Sequence, residues 1–214
     1  MITYSWQTGK LHSSQGESLY AWHHAPLSLA LDGQTAYGVI HNGPAVLECS
    51  AGTFTLTEGM YFSVTGYITI SGEQSCGLVC VHDQYEGLFM LGGPMEEAGR
   101  LQYIDGCTDT LLIPPTILGD PCLNLLHIPA KTEQTQHTHP SLRYGMILSG
   151  SGTCITPDQE YNLSPGLIFC IPSDSLHSFH TQHSPLRVVA WHPDTDMGPT
   201  HKNHPMVNKT IITS

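Results

Sequence analysis

The strongest constraint in this 214-residue chain is that one pattern is written twice. Tyr37-Gly38-Val39-Ile40 recurs 107 residues later as Tyr144-Gly145-Met146-Ile147, and Gly43 is matched by Gly150 at the same spacing. Phe54-Thr55-Leu56-Thr57-Glu58-Gly59-Met60-Tyr61-Phe62 returns, again 107 residues on, as Tyr161-Asn162-Leu163-Ser164-Pro165-Gly166-Leu167-Ile168-Phe169. Farther along, Leu78-Val79-Cys80-Val81-His82 resembles Val188-Val189-Ala190-Trp191-His192 at a spacing of 110, which implies three extra residues in a loop of the second copy. Blocks that keep their order and spacing indicate tandem duplication. The two copies are expected over residues 1–100 and 101–214, joined near Gly92-Gly93-Pro94, with a short helix over Met95-Glu96-Glu97-Ala98.

Each copy reads as strands. Ala45–Cys49, Thr53–Leu56, Tyr61–Val64, Tyr67–Ile70 and Leu78–Val81 are short runs rich in β-branched and aromatic residues, separated by turns at Ser50-Ala51-Gly52 and Glu58-Gly59. No long stretch holds a helical period. The composition agrees: 21 Gly and 15 Pro supply turns, 40% apolar residues supply a core, and 12% charged residues are few for salt-bridged helices. An all-β sandwich or barrel is expected.

The charge narrows the partners. A net charge of -11 with seven Lys plus Arg would repel a phosphate backbone or an anionic bilayer, so nucleic acid and membrane surfaces are excluded as partners and a small molecule is favoured. The seven Cys are an odd number without paired metal spacing, and are expected to be reduced and buried. Met1-Ile2-Thr3-Tyr4-Ser5-Trp6 shows no basic start and no apolar run, so no signal peptide is expected and a cytoplasmic protein is.

The chemistry concentrates in the second copy, where most of the 14 His lie. His137 and His139, two apart in Gln136-His137-Thr138-His139-Pro140, would face the same side of an extended strand. Downstream, Ser164-Pro165-Gly166 makes a turn, Leu167–Pro172 a strand, and Ser173-Asp174-Ser175-Leu176 a second turn that delivers His177. In this order the residues resemble the two motifs of the cupin superfamily, G-x5-H-x-H-x3-4-E-x6-G and G-x5-P-x-G-x2-H-x3-N. His137, His139 and Gly150 match the first motif; Gly166, Pro172 and His177 match the second. The resemblance covers residues 118–193 and reaches the first copy through the repeat. It implies two tandem jelly-roll barrels, with one divalent transition metal on His137, His139 and His177. Fe2+ is expected first; Zn2+, Ni2+, Mn2+ and Cu2+ also accept imidazole.

The sequence departs from the motifs at several positions. Lys131 stands at the opening Gly, Asp174 at the second Gly of the second motif, and Thr181 at the closing Asn. The glutamate ligand is replaced by Arg143 or, with the longer spacing, Tyr144. A guanidinium has no lone pair to offer a metal. Three readings stay open: a three-His site in which Arg143 clamps an anionic substrate, a site completed by Glu133, Gln134 or His180, and an Arg143 that points outward. Tyr144 is a further catalytic candidate, as a proton donor or substrate hydrogen bond.

Counting back 107 residues sends His137 to Ala30, His139 to Asp32, Arg143 to Ala36 and His177 to Ile70, so the first barrel is expected to carry no metal. His23, His24, His41 and His82 then read as surface or hydrogen-bonded residues. His127 reads as a satisfied core residue, and His180 and His183 as rim residues. His201 and His204 lie in a tail that packs over a barrel or a neighbouring subunit. A three-His set resembles that of cupin dioxygenases, which implies a metal-dependent, dioxygenase-like enzyme acting on a small, anionic molecule. The other reading is a non-catalytic sensor or storage cupin. The resemblance implies a homodimer, to which exposed barrel edges could contribute by pairing.

Overall fold

The computed structural model describes residues 1–207 and 210–213. The chain forms β1 (Ile2–Tyr4), β2 (Gly9–Ser14), β3 (Glu17–His23), β4 (Leu27–Asn42), β5 (Ala45–Cys49), β6 (Gly52–Leu56), β7 (Tyr61–Ser71), β8 (Cys76–His82) and β9 (Met90–Gly92). It continues through β10 (Leu101–Gln102), β11 (Thr108–Ile113), β12 (Cys122–Ile128), β13 (Arg143–Gly150), β14 (Gly152–Ile155), β15 (Glu160–Leu163), β16 (Ile168–Ile171), β17 (Ser178–His180) and β18 (Leu186–His192). The only helical element among the described residues is a 3-10 turn at Ile104–Gly106. The fold is all-β, of the jelly-roll barrel kind.

An eight-stranded sheet runs β2-β3-β8-β4-β7-β5-β6, with β9 added on β7. A seven-stranded sheet runs β1-β16-β13-β18-β12-β11-β10, and β15-β14-β17 form a third sheet. All the pairings are antiparallel, and the first strand, β1, lies on the edge of the sheet built by the second half.

The two-residue period of a strand sorts the side chains into three apolar layers. Leu19 and Ala21, Tyr37 and Val39, and Leu78 and Cys80 meet Leu123 and Leu125, Tyr144 and Met146, Ile168 and Cys170, and Val189 and Trp191 in one cluster between the halves. Their strand neighbours turn the other way. Trp22, Ala36, Ile40, Phe62, Val64, Ile68, Ile70, Val79 and Val81 fill the interior of the first half. Ile128, Ile147, Phe169, Ile171, Leu186 and Val188 pack inside the second, with Cys154, Leu163 and Phe179 of the three-stranded sheet. All seven cysteines are free and buried.

One local relation occurs in both halves of the chain. Gly38 faces Phe62 across β4 and β7, and Gly145 faces Phe169 across β13 and β16. A Cβ on Gly38 would lie 2.0 Å from the Phe62 ring, and one on Gly145 would lie 2.3 Å from that of Phe169. Each copy thus needs a glycine at the spot where an aromatic ring crosses the strand.

Four details correct the sequence reading. Gly38 pairs with Val79 while Gly145 pairs with Ala190, so the last strands match at a spacing of 111, and the second copy has four extra loop residues rather than three. Tyr61–Val64 and Tyr67–Ile70 are one strand, bent at Gly66, whose φ is +84°. Residues Met95–Ala98 form no helix, because their backbone groups bond elsewhere: Met95 N–H donates to Gly59 O, and Arg187 donates to Met95 O and Glu96 O. Finally, the register of β4 shifts by three between Leu31 and Thr35, so Leu27, not Ala30, pairs with Ile70.

Candidate metal centre

His137 and His177 face each other in an isolated antiparallel bridge and not in the regular strand the sequence suggests. His137 N–H donates to His177 O (2.9 Å) and His177 N–H to His137 O (3.0 Å), which locks the two motif loops together at the ligands. The loop after His139 is held by Asp174 N–H, which donates to His139 O (2.7 Å).

The departures from the motifs have a local cause. Lys131 (φ +64°) and Asp174 (φ +57°), which stand where the motifs have glycine, both hold the left-handed backbone that glycine serves best; Asp adopts it more readily than most residues. Thr181, in place of Asn, still ties the start of the first motif. It accepts a bond from Thr132 N–H (3.1 Å) and donates to Pro129 O.

The three rings converge. Their centroids lie 5.0 Å (His137–His139), 4.6 Å (His137–His177) and 5.2 Å (His139–His177) apart. One nitrogen from each lies within 4.8 Å of the other two, a spacing that small ring rotations let one ion bridge at the usual metal–imidazole length of about 2.1 Å. Nδ1 of His137 lies 2.8 Å from Thr135 O, and Nδ1 of His177 lies 2.8 Å from Ser175 O. A carbonyl only accepts, so Nδ1 carries the proton in both rings and Nε2 keeps its lone pair. Burial, with Arg143 and the neighbouring imidazoles adding to it, pushes His139 down to about 3. Burial likewise pushes His177 down to about 4. Both rings are therefore neutral at pH 7, and the donor set suits a divalent transition ion.

The site opens into a cavity of about 600 Å³. Strand alternation dictates its lining: Asp109 and Leu111 from β11, Asn124 and Leu126 from β12, Arg143 from β13, Phe169 and Ile171 from β16, and Val188, Ala190 and His192 from β18. Arg143 points inward, which removes the outward-facing reading. Its Nη1 donates to Ser141 O (3.0 Å), Ser141 Oγ (2.6 Å) and Leu142 O (3.1 Å), fixing the guanidinium plane. Among the described residues no carboxylate oxygen comes within 4.0 Å of it.

Tyr144, the second catalytic candidate, is corrected. It follows Arg143 on β13 and so faces away from the cavity, fully buried in the layer between the halves. Its hydroxyl bonds His12 Nδ1 (2.8 Å), and its ring stacks on Trp191. None of the three alternatives completes the ligand set. Glu133 is exposed, His180 Nε2 pairs with Ser178 Oγ (3.0 Å), and the Gln134 amide is spent on Phe179 N–H (3.1 Å) and the Cys107 thiol. His127 lies outside the cavity beside Arg187, and its buried Nδ1 has no partner, contrary to the satisfied residue expected.

Sequence reasoning missed His192. It lines the cavity, its Nδ1–H donates to Asp194 O, and burial with the adjacent Arg143 pushes it down to about 4. The alternation Val188, Ala190, His192 along the last strand was the available signal. In the first half, the positions that pair as His137 and His177 do are Leu27 and Ile70, two hydrocarbon side chains with no lone pair.

Residues 124–192 match the cupin domain family. Similar solved structures include a cupin 2 conserved barrel domain protein from Leptotrichia buccalis (TM-score 0.65, 10% identity, 89% of this chain and 92% of that one). Protein Ylba from E. coli is another (TM-score 0.61, 15% identity, 85% and 78%). A third is a salicylate 1,2-dioxygenase from Pseudoaminobacter salicylatoxidans in an adduct with gentisate (TM-score 0.63, 10% identity, 83% and 67%). Among curated proteins, none matches the sequence. Residues 124–192 are thus a cupin domain, and the chain as a whole has the cupin fold. No helix among the described residues is long and apolar enough to cross a membrane.

Proposed function

We propose that the C-terminal cavity is the active site of a metal-dependent, dioxygenase-like enzyme that binds a small anionic molecule. The chain is read as a tandem of two barrels, the first serving as support and the second holding the metal on His137, His139 and His177. The observation that carries this reading is Arg143: a guanidinium fixed by three backbone and hydroxyl bonds, with no carboxylate in direct ion-pair contact among the described residues, in the same cavity as three imidazoles. Asp194 and Asp196 share the cavity and favour the charged guanidinium, yet neither pairs with it directly, which leaves donors of Arg143 open to an anionic ligand. The likeness to a salicylate 1,2-dioxygenase in adduct with gentisate supports the same class.

A ferrous ion held by His137, His139 and His177 would supply oxygen activation and a Lewis acid for a chelating substrate. The chain's own part is positional. Arg143 holds the anionic group, and its planar donors set the orientation of the molecule. Phe169, Ile171, Phe179, Val188 and Ala190 exclude water around the reacting group. His192, neutral and with its Nδ1 proton committed to Asp194, is left with an Nε2 that accepts a hydrogen bond or a proton.

Oxygen-electrode assays of Fe2+-reconstituted protein against aromatic acids, hydroxy acids, diketones and thiols test the reading. Oxygen uptake with an acid, lost in Arg143→Leu, is the expected result. Tight binding of acids without turnover under Fe2+, Mn2+, Ni2+ or Cu2+ would overturn the enzyme and leave a sensor.

A further inference from the structure

The cavity wall has a second polar pole. On β11 and β12, Asp109 and Asn124 point inward beside Leu111 and Leu126, an unusual place for a carboxyl and an amide. Their arrangement is fixed from behind. The Cys122 thiol donates to Asn124 Oδ1 (2.8 Å), which sets the direction of the amide, and Asn124 Nδ2 donates to Asp109 Oδ1 (2.9 Å). No protein donor reaches Asp109 Oδ2 among the described residues. Tyr103 lines the same cavity, with its phenol pushed up by burial first and by the Asp109 carboxyl next, and drawn down by Arg143.

This pole and the guanidinium stand apart. In the order β11-β12-β18-β13, Asp109 and Arg143 are three strands distant on the curved wall of one cavity. Opposite charges in one cavity would normally neutralise each other in an ion pair, and these do not. The wall between them presents Leu111, Leu126, Val188 and Ala190, with His192 beside Arg143. Burial pushes the Asp109 carboxyl up to about 6, opposed only by Asn124, so the carboxylate gains from any donor that reaches it.

We infer that Asp109, oriented by Asn124 and flanked by Tyr103, is a recognition site for a hydrogen-bond donor, a hydroxyl or an ammonium group, at the far end of the anionic molecule that Arg143 holds. The substrate class is then an acid with an apolar middle and a donor group remote from the charge. This rests on the reading of the cavity as an anion site.

Calorimetric titration of Zn2+-loaded protein tests it. The ligands are benzoate and its hydroxy, amino and methoxy derivatives, with pentanoate and 5-hydroxypentanoate as an aliphatic pair. In the wild type, the hydroxy or amino acid is expected to bind about tenfold tighter than the unsubstituted and methoxy acids, the worth of one hydrogen bond to a charged group. Asp109→Leu abolishes that advantage and leaves the unsubstituted acid unchanged, whereas Arg143→Leu weakens every acid. Asp109→Asn keeps the side-chain volume, guards against a folding defect, and reduces the amino preference more than the hydroxyl preference. No donor preference in the wild type, or the full wild-type preference retained in both Asp109 variants, overturns the inference while Arg143-dependent binding keeps the anion site. Failure of every acid to bind overturns the anion site and this inference with it.

Discussion

The hydroxyl of Tyr144 lies 2.8 Å from Nδ1 of His12, a bond between residues 132 positions apart that stitches the last sheet to the first half of the chain. The pair sits in the apolar layer between the halves, so Tyr144→Phe removes one hydrogen bond and leaves a buried His12 nitrogen less well satisfied. A loss of about 1 kcal/mol is expected in denaturant melts. Metal content by elemental analysis should be unchanged, because Tyr144 does not touch the cavity; lost metal would place it in the site after all.

His137→Ala is expected to abolish stoichiometric metal uptake, since two nitrogens rather than three then remain around the centre. Ile70→Ala, at the equivalent ladder position to His177 in the first half, should leave uptake intact while costing about 2–5 kcal/mol of stability as a core cavity. Equal metal in wild type and His137→Ala would refute the assignment.

Arg143→Leu should weaken binding of an acidic ligand by a factor of ten or more, corresponding to about 1.5–3 kcal/mol for a charged hydrogen bond. Metal content is expected to stay at the wild-type level. An unchanged dissociation constant for the acid would remove Arg143 from substrate binding.

Asp109 gives the protein a signed pH dependence. Its carboxyl is pushed up to about 6 by burial, above the usual value near 3.9 of an unfolded chain. Between those values the folded protein holds a proton the unfolded chain has released, so this group's contribution to stability falls as pH rises from about 4 to about 6. Asp109→Asn should flatten that part of the profile and be more stable than wild type at pH 7, measured by thermal or urea melts across pH 4–8. An unchanged slope would show that Asp109 titrates as an ordinary carboxyl.

Gly145→Ala places a methyl group 2.3 Å from the Phe169 ring and should cost about 1–3 kcal/mol. Shrinking the ring in Phe169→Leu is expected to return part of that loss, giving a favourable coupling in a double-mutant cycle.

These residues also show what the sequence could reveal. The three-His cluster was legible because two-residue alternation and a turn-delivered His are local patterns. The repeat was legible because Gly38 and Gly145 answer the same steric demand from Phe62 and Phe169. Tyr144 was misplaced because residue type says nothing about which side of a strand it occupies; once Arg143 faces the cavity, its neighbour cannot. His192, Asp109 and Asn124 were missed for the complementary reason. Each is a lone polar residue in an apolar strand, and its meaning appears only when β11, β12 and β18 are seen to share one wall. The three-residue register shift in β4 left no mark in composition, so the count back from His137 fell on Ala30 in place of Leu27.

The pairing of Ile2–Tyr4 with Ile168–Cys170 has a consequence for how the chain is made. Ile2–Tyr4 find their ladder partners only after residues 168–170 have been synthesised. Until then the Ile2–Tyr4 segment has nothing to zip onto. A fragment starting at residue 101 would expose the β16 edge and invite strand exchange between copies, whereas adding Met1–Trp6 as a separate peptide should cap it.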